Sequence, residues 1–463
     1  MKSFSFLRFV CICLCIFLAL SGCSSKKQDA IDSLVKSCED GNVDAVKILL
    51  NTGTKVNKPN RKGKFALEAA ACSTKPMARL ELTKLLLEAG ANVNLGTPLT
   101  SAVICARSMS VKSAIENVAY GIYTFDEIEA LYNLELVNLL IGVGANVNEK
   151  NSQKNTPLMY AETQSMAKLL IDKGSDVNFK NDKGETPLIL ACLNGYPDVV
   201  QILAEKYADV NVKTKEKMTP LLAVIKFGGY SAGVKSSDRY DEYVIARMNK
   251  MLEILISHRA DVNMEGKTEK YDPDGLTPLM SACDGAKEDA ISMLLRAGAK
   301  VNVKDKFGNY PIHHCKIANG LKALLESKKV NVNELNESGQ TPLMIAAMNG
   351  NIATMDVLFQ NNADVNIQDK EGNSALMHAI TAGDQWRIGS KKDTVQSLIF
   401  HGANPFLKNK KGKTAMEIAQ DENEQAVMAT LHMMEKLLKA KGVSEFNFME
   451  ELKQEAAKKA QEK

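Results

Sequence analysis

The feature that most limits what this chain can fold into is a pattern that returns about every 33 residues. Counted from the Asn that closes each copy, Asn178 to Asn211 and Asn333 to Asn366 are 33 residues apart, while Asn148 to Asn178 is 30 and Asn302 to Asn333 is 31. The clearest copy runs from Glu334 to Asn366, ELNESGQTPLMIAAMNGNIATMDVLFQNNADVN. In it Thr341 suits a helix N-cap and Pro342 the first helical position, where a missing N–H is not needed. Leu343, Ile345, Ala346 and Ala347 make a small apolar helix that ends at Asn349-Gly350, residues that tolerate the left-handed conformation. Met355, Val357, Leu358 and Phe359 mark a second helix, which leaves through Asn361-Asn362. One such pair cannot bury its apolar face alone, but stacked copies can.

Thr-Pro-Leu recurs at Thr97, Thr156, Thr186, Thr219, Thr277 and Thr341. Gly-Ala closes the second helix at Gly90, Gly144, Gly298 and Gly402, and Asp or Asn followed by Val-Asn comes next at Asn94, Asn148, Asn178, Asn211, Asn263 and Asn366. Phe65-Ala66-Leu67, Tyr310-Pro311-Ile312, Ser374-Ala375-Leu376 and Thr414-Ala415-Met416 are weaker copies. In length and wording the chain resembles the ankyrin repeat family. The resemblance implies an all-α solenoid of about eleven helix-turn-helix units with β-hairpin-like fingers, over residues 29–434. The family's Thr-Pro-Leu-His keeps its His once, at His313; elsewhere the position holds Met159, Ile189, Leu222, Met280, Met344 and Met377. An inter-repeat hydrogen-bond network is therefore not expected, and the Met stripe is read as core filling.

The start of the chain is of another kind. Lys2 and Arg8 are followed by an apolar run from Phe9 to Leu20, and then by Leu20-Ser21-Gly22-Cys23. This resembles a bacterial lipoprotein signal peptide with its lipobox, which implies removal of residues 1–22 and lipidation of Cys23. Twelve apolar residues are too few to span a bilayer, for which about 20 are needed. Ser24 after the Cys points to the outer membrane in that family, with the periplasmic face expected. Residues 23–28 then form a lipidated tether; extended, six residues reach about 20 Å. Residues 435–463 read as a charged helical tail.

Cysteine placement argues against a disulfide framework. Cys11, Cys13 and Cys15 leave with the signal, Cys72, Cys192 and Cys283 each follow an Ala in a first helix, and Cys315 takes the Ala position itself. Small buried thiols suit those places, and equivalent positions of neighbouring repeats lie too far apart to bond, so free thiols are expected. The net charge is +3, or +1 without Lys2 and Arg8. Basic tips at 58–64 and 406–413 alternate with acidic ones at 264–276 and 334–340, so no continuous track for nucleic acid emerges. Neither a nucleophile with a base at a known spacing nor a phosphate-binding glycine loop is present, and the six His lack metal-ligand spacing. No catalytic residue, metal, cofactor or small-molecule substrate is therefore expected.

The best functional lead is insertion. Pro187 to Asn211, Pro278 to Asn302 and Pro342 to Asn366 are 24 residues each, but Pro98 to Asn148 is 50 and Pro220 to Asn263 is 43. The extra residues lie within 104–133 and 226–246, between first and second helices, on the edge opposite the fingers. The first holds Tyr120, Tyr123, Phe125 and Tyr132; the second holds Phe227, Tyr230, Tyr240 and Tyr243. A third extension, 382–393, carries the single Trp, Trp386. Tyrosine supplies interface area with a polar handle, and these nine aromatics are the candidate partner-binding residues. The alternative is that the segments fold back as local helices over neighbouring repeats. Ankyrin stacks bind proteins, so the resemblance implies a monomeric, membrane-anchored interaction module in the bacterial envelope. A second reading is an inhibitor or protector that neutralises an envelope enzyme or toxin. An enzyme would need a pocket built by the insertions around Tyr240 and Asp241.

Overall fold

The computed structural model describes residues 24–105, 126–227, 238–268, 274–285, 287–327, 329–383 and 389–440. They belong to two compact units, Met1–Lys215 and Glu216–Lys463. The fold is an all-α repeat fold, built from pairs of short helices. Cys23, Tyr120, Tyr123, Phe125, Tyr230 and Trp386 lie outside the described residues, as does most of the 435–463 tail.

The Thr-Pro start works as its chemistry dictates. Thr186, Thr277 and Thr341 each have extended backbone, and each side chain accepts the N–H three residues on, from Ile189, Met280 and Met344. Ser374 and Thr414 do the same for Met377 and Glu417. Thr156 departs from the rule. It heads only a single 3-10 turn, Pro157–Tyr160, and its buried hydroxyl has no hydrogen-bond partner among the described residues. Here the first helix is cut short, and the Tyr160 hydroxyl instead gathers the Nδ2 groups of Asn151 and Asn155 at 2.8 and 2.9 Å.

Ordinary second helices are nine residues long, as in Gln164–Asp172, Pro197–Glu205, Glu288–Arg296 and Ile352–Gln360. Those that follow the two large insertions are longer, Asp126–Gly142 with 17 residues and Asp238–Ser257 with 20. The ends of both insertions are therefore helical and run straight into the second helix. At the start of the chain a helix begins at Ser24 and continues to Glu39, so residues 24–28 are wound rather than extended. That shortens their reach to about 1.5 Å per residue. No helix among the described residues is long and apolar enough to cross a membrane.

The core of unit 1 is a run of fully buried leucines, among them Leu34, Leu82, Leu86, Leu136, Leu140, Leu170 and Leu203. Unit 2 continues the pattern through Leu252, Leu294, Leu321, Leu358 and Leu398. Burial of each such side chain contributes roughly 2–3 kcal/mol of transfer free energy. Met159, Ile189, Leu222, Met280, Met344 and Met377 are all at most 5% exposed, so the stripe at the lost His position is core.

The expectation of no inter-repeat hydrogen-bond network is wrong, because asparagines build one. The closing Asn of a repeat reaches the next turn with both ends of its amide. Asn148 donates to the Gly174 carbonyl at 3.0 Å and accepts from Asp176 N–H at 2.9 Å. Asn57, Asn94 and Asn178 do the same in unit 1, and Asn366 in unit 2. The finger tips form a second ladder, with Asn181 on Asn155 in unit 1 and Asn336 on Asn309 and Asn409 on Asn373 in unit 2. His313, the one His at the family position, bonds the Glu334 and Gln340 carbonyls through Nε2 at 3.1 and 3.2 Å.

The fingers are turns rather than paired strands. Among the described residues only isolated bridges occur, Gly266 with Leu276 and Gln368 with Ser374. Each tip is too short for a ladder and is closed by a side chain instead. Asp369 Oδ1, for example, accepts from the N–H groups of Glu371 and Asn373.

Candidate interaction surface

Of the nine aromatic candidates, four remain within the described residues. Phe227 is the last residue of helix Pro220–Phe227 and is half-buried. Tyr132 lies in helix Asp126–Gly142, and Tyr240 and Tyr243 lie in helix Asp238–Ser257. The last three therefore stand on the rising helical ends of the two insertions and not in open loops.

The geometry that can be built fully is the base of the first insertion. Helix Pro76–Glu88 carries Arg79, whose side chain is only 6% exposed. Its Nε donates to the Ser73 carbonyl at 3.0 Å, and its Nη1 donates to the Cys105 carbonyl at 3.1 Å and to Asn133 Oδ1 at 3.3 Å. Cys105 is the last described residue of the first helix, at the start of the insertion, and Asn133 is where the chain has returned. One guanidinium thus ties both ends of the insertion to the preceding repeat. A buried cation is tolerated only when its donors are satisfied in this way.

A covalent bond reinforces the same place, and it corrects the expectation of free thiols. Cys72 is disulfide-bonded to Cys105, with Cα atoms 5.3 Å apart and a separation of 33 in sequence. Equivalent repeat positions would be too distant, but these two are offset by one. Cys72 stands six residues after Ala66, and Cys105 seven after Pro98. That step brings the Cα atoms into bonding range. Cys38, Cys192, Cys283 and Cys315 are free and buried. Burial pushes the Cys38 thiol up to about 12.

A second buried polar group meets the start of the same first helix. Glu149, 9% exposed, accepts the Thr100 N–H at 2.6 Å through Oε1, while Oε2 has no partner among the described residues. It caps the helix that leads to Cys105, since the Thr97 hydroxyl has turned away to Glu68. Burial raises the Glu149 carboxyl above its usual 4.5, against the lowering effect of the Thr100 hydrogen bond.

Other surfaces are less organised. Two of the four cations of the basic tip 58–64 are paired, Arg61 with Asp29 and Asp32 and Lys64 with Glu39, all from helix Ser24–Glu39. Lys413 of the other basic tip pairs with Asp421. Among the large apolar residues described, the most exposed is Tyr207 at 89%. Tyr207 has φ +64°, at the turn where Gly90, Gly144 and Gly174 stand in other repeats, so a missing glycine was its sequence signal. In unit 2 a cleft of about 210 Å³ is lined by His314, Cys315, Lys316, Asn349 and Thr354 among others. Among the described residues no group of three or more His, Cys, Asp or Glu side chains could hold a metal ion.

The ankyrin repeat model that spans three copies matches residues 10–108, 128–214 and 312–387. The single-repeat model matches 274–306 and 371–410. The chain belongs to the ankyrin repeat family. The interval between the first two matches falls on the first insertion. As an ankyrin repeat protein the chain is similar to a human transient receptor potential cation channel of subfamily A, 29% identical over 134 residues, which are 26% of this chain and 11% of the channel. It is similar to the mouse neurogenic locus notch homolog protein 1, 30% identical over 148 residues, 31% of this chain and 6% of that protein. A human SH3 and multiple ankyrin repeat domains protein is 29% identical over 149 residues, 32% of this chain and 8% of that protein. The chain thus spans about a tenth or less of the length of these relatives. Ankyrin repeats are protein-interaction modules and are generally non-catalytic.

Proposed function

We propose that this ankyrin repeat protein is a non-catalytic interaction module of a bacterial envelope, held to the outer membrane by lipid on Cys23, and that it grips a protein partner through its first insertion. The observation that carries this reading is the clamp of Arg79 and Cys72–Cys105 at the insertion's base. A stack whose insertion were mere excess length would need no buried cation and no covalent bond to fix both of its ends. A fixed base lowers the ordering cost of whatever the Tyr-rich segment binds. The disulfide also suits an oxidising compartment, which agrees with the lipobox-like Leu20-Ser21-Gly22-Cys23.

The test is affinity capture from detergent-solubilised envelope. The intact chain is compared with one in which residues 106–132 are replaced by a short Gly-Ser linker, leaving Cys105 and Asn133 in place. A partner held only by the intact chain supports the reading. Equal capture by both places recognition on the ordinary repeat surface and overturns it. If the captured protein is an enzyme or toxin that loses activity on binding, the module acts as an inhibitor. Palmitate labelling that persists in Cys23→Ser would remove the lipid anchor from the account.

A further inference from the structure

Unit 1 already joins two consecutive repeats covalently, and unit 2 holds the parts for another such bond. Cys283 lies in helix Pro278–Asp284, and Cys315 directly follows the four-residue helix Pro311–His314 of the next repeat. The backbone brings these places together, because the Lys316 N–H donates to the Cys283 carbonyl at 3.3 Å. The Cys315 thiol donates to the Ile317 carbonyl at 3.8 Å. Both thiols are free, at 0% and 6% exposure, and they are 32 residues apart in sequence. Cys315, and not Cys283, lines the cleft of about 210 Å³. The same cleft is lined by Thr354, whose buried hydroxyl has no hydrogen-bond partner among the described residues.

We propose that Cys283 and Cys315 are a dithiol–disulfide redox pair that reacts with low-molecular-weight disulfides entering this cleft. The Cys315 thiolate attacks one sulfur of the incoming disulfide, RSSR, and forms a Cys315–SR mixed disulfide. The first RS⁻ leaves and is protonated to RSH. The Cys283 thiolate then attacks the Cys315 sulfur, closes the Cys283–Cys315 bond and expels the second RS⁻, which is also protonated. Two protein thiols are oxidised by two electrons, and RSSR is reduced to two RSH. The order follows from position: Cys315 borders the cleft, whereas Cys283 sits behind it, with its thiol held well above the ordinary range by burial first and by Cys315 second. Oxidation would tie Pro311–His314, the shortest of the described α-helices, to the preceding repeat.

The experiment uses the full chain with Cys72–Cys105 formed, incubated with oxidised glutathione. After quenching, remaining thiols are alkylated under denaturing conditions and peptides are mapped by mass spectrometry. The expected result is a Cys283–Cys315 cross-link while Cys38 and Cys192 are recovered alkylated. Cys283→Ala should accumulate glutathione on Cys315, and Cys315→Ala should carry none on Cys283. The rate should rise up to about tenfold per pH unit as thiolate becomes available. Recovery of both cysteines alkylated in the wild-type chain, under conditions that oxidise a free dithiol, overturns the proposal. So does a glutathione adduct on Cys283 in place of Cys315. The wild-type mapping decides the matter even if an alanine variant fails to fold.

Discussion

The two edges of these repeats are held by different kinds of interaction. On the finger edge one device recurs: Asn57, Asn94, Asn148, Asn178 and Asn366 each span to the next turn with two hydrogen bonds, mostly near the surface. At the base of the first insertion nothing recurs. One buried arginine and one disulfide act once, at residues 72–133. Repetition makes a stack, whereas a device used once marks the place where this stack differs from others of its kind. Periodic contacts explain why the chain folds, and the non-periodic ones point to what it holds.

Breaking the single devices should cost most. Cys72→Ala or Cys105→Ala opens a loop of 33 residues, and the chain-entropy relation puts the loss at about 3–4 kcal/mol; urea unfolding of oxidised and reduced protein checks it. Arg79→Met leaves Asn133 and two carbonyls without their donor and should cost about 3 kcal/mol, with hydrogen exchange accelerated at residues near 105 and 133. On the finger edge a single Asn366→Ala removes two hydrogen bonds and should cost about 1 kcal/mol by urea unfolding. Tyr207→Gly should run the other way and stabilise unit 1 by about 0.5–1 kcal/mol, because Tyr207 pays for a left-handed turn with no packing in return.

The smallest effects are those of pH, and they differ in sign between two carboxyls. Burial pushes Asp305 up, but hydrogen bonds from His314 and Asn309 outweigh it and hold the carboxyl below its usual 3.8. Its contribution is full above that value and is lost as pH falls through the lower folded value. Glu149 is raised above 4.5, so its contribution is full below 4.5 and fades as pH rises through the folded value. Unfolding measured from pH 3 to 7 should show a smaller acid loss in Asp305→Asn. In Glu149→Gln the decline on the rising side should vanish.

Much of this was legible in the sequence. Thr-Pro-Leu marked capped helices at Thr186, Thr277 and Thr341 because the cap needs only three local residues. The Met positions were read as core because burial follows helical spacing. The double reach of Asn148 was not legible, since Val-Asn reads as turn chemistry until the next repeat is placed beside it. Nor was the clamp. Arg79 looks like any surface arginine of a second helix, and its partners Cys105 and Asn133 lie 26 and 54 residues away with no periodic relation. Cys72 and Cys105 were hidden by comparison of equivalent positions, where an offset of one residue decides whether the sulfurs can meet.

The most direct test of the contrast between the edges is a pair of double-mutant cycles by urea unfolding. Arg79→Met combined with Cys105→Ala acts on one shared clamp, and the account predicts a coupling of at least about 1 kcal/mol. Asn94→Ala combined with Asn178→Ala acts on two finger bridges that share no partner, and the account predicts additivity to within about 0.5 kcal/mol. Additive costs at the clamp, or strong coupling between the finger bridges, would contradict the division of the repeats into a distributed edge and a single fixed one.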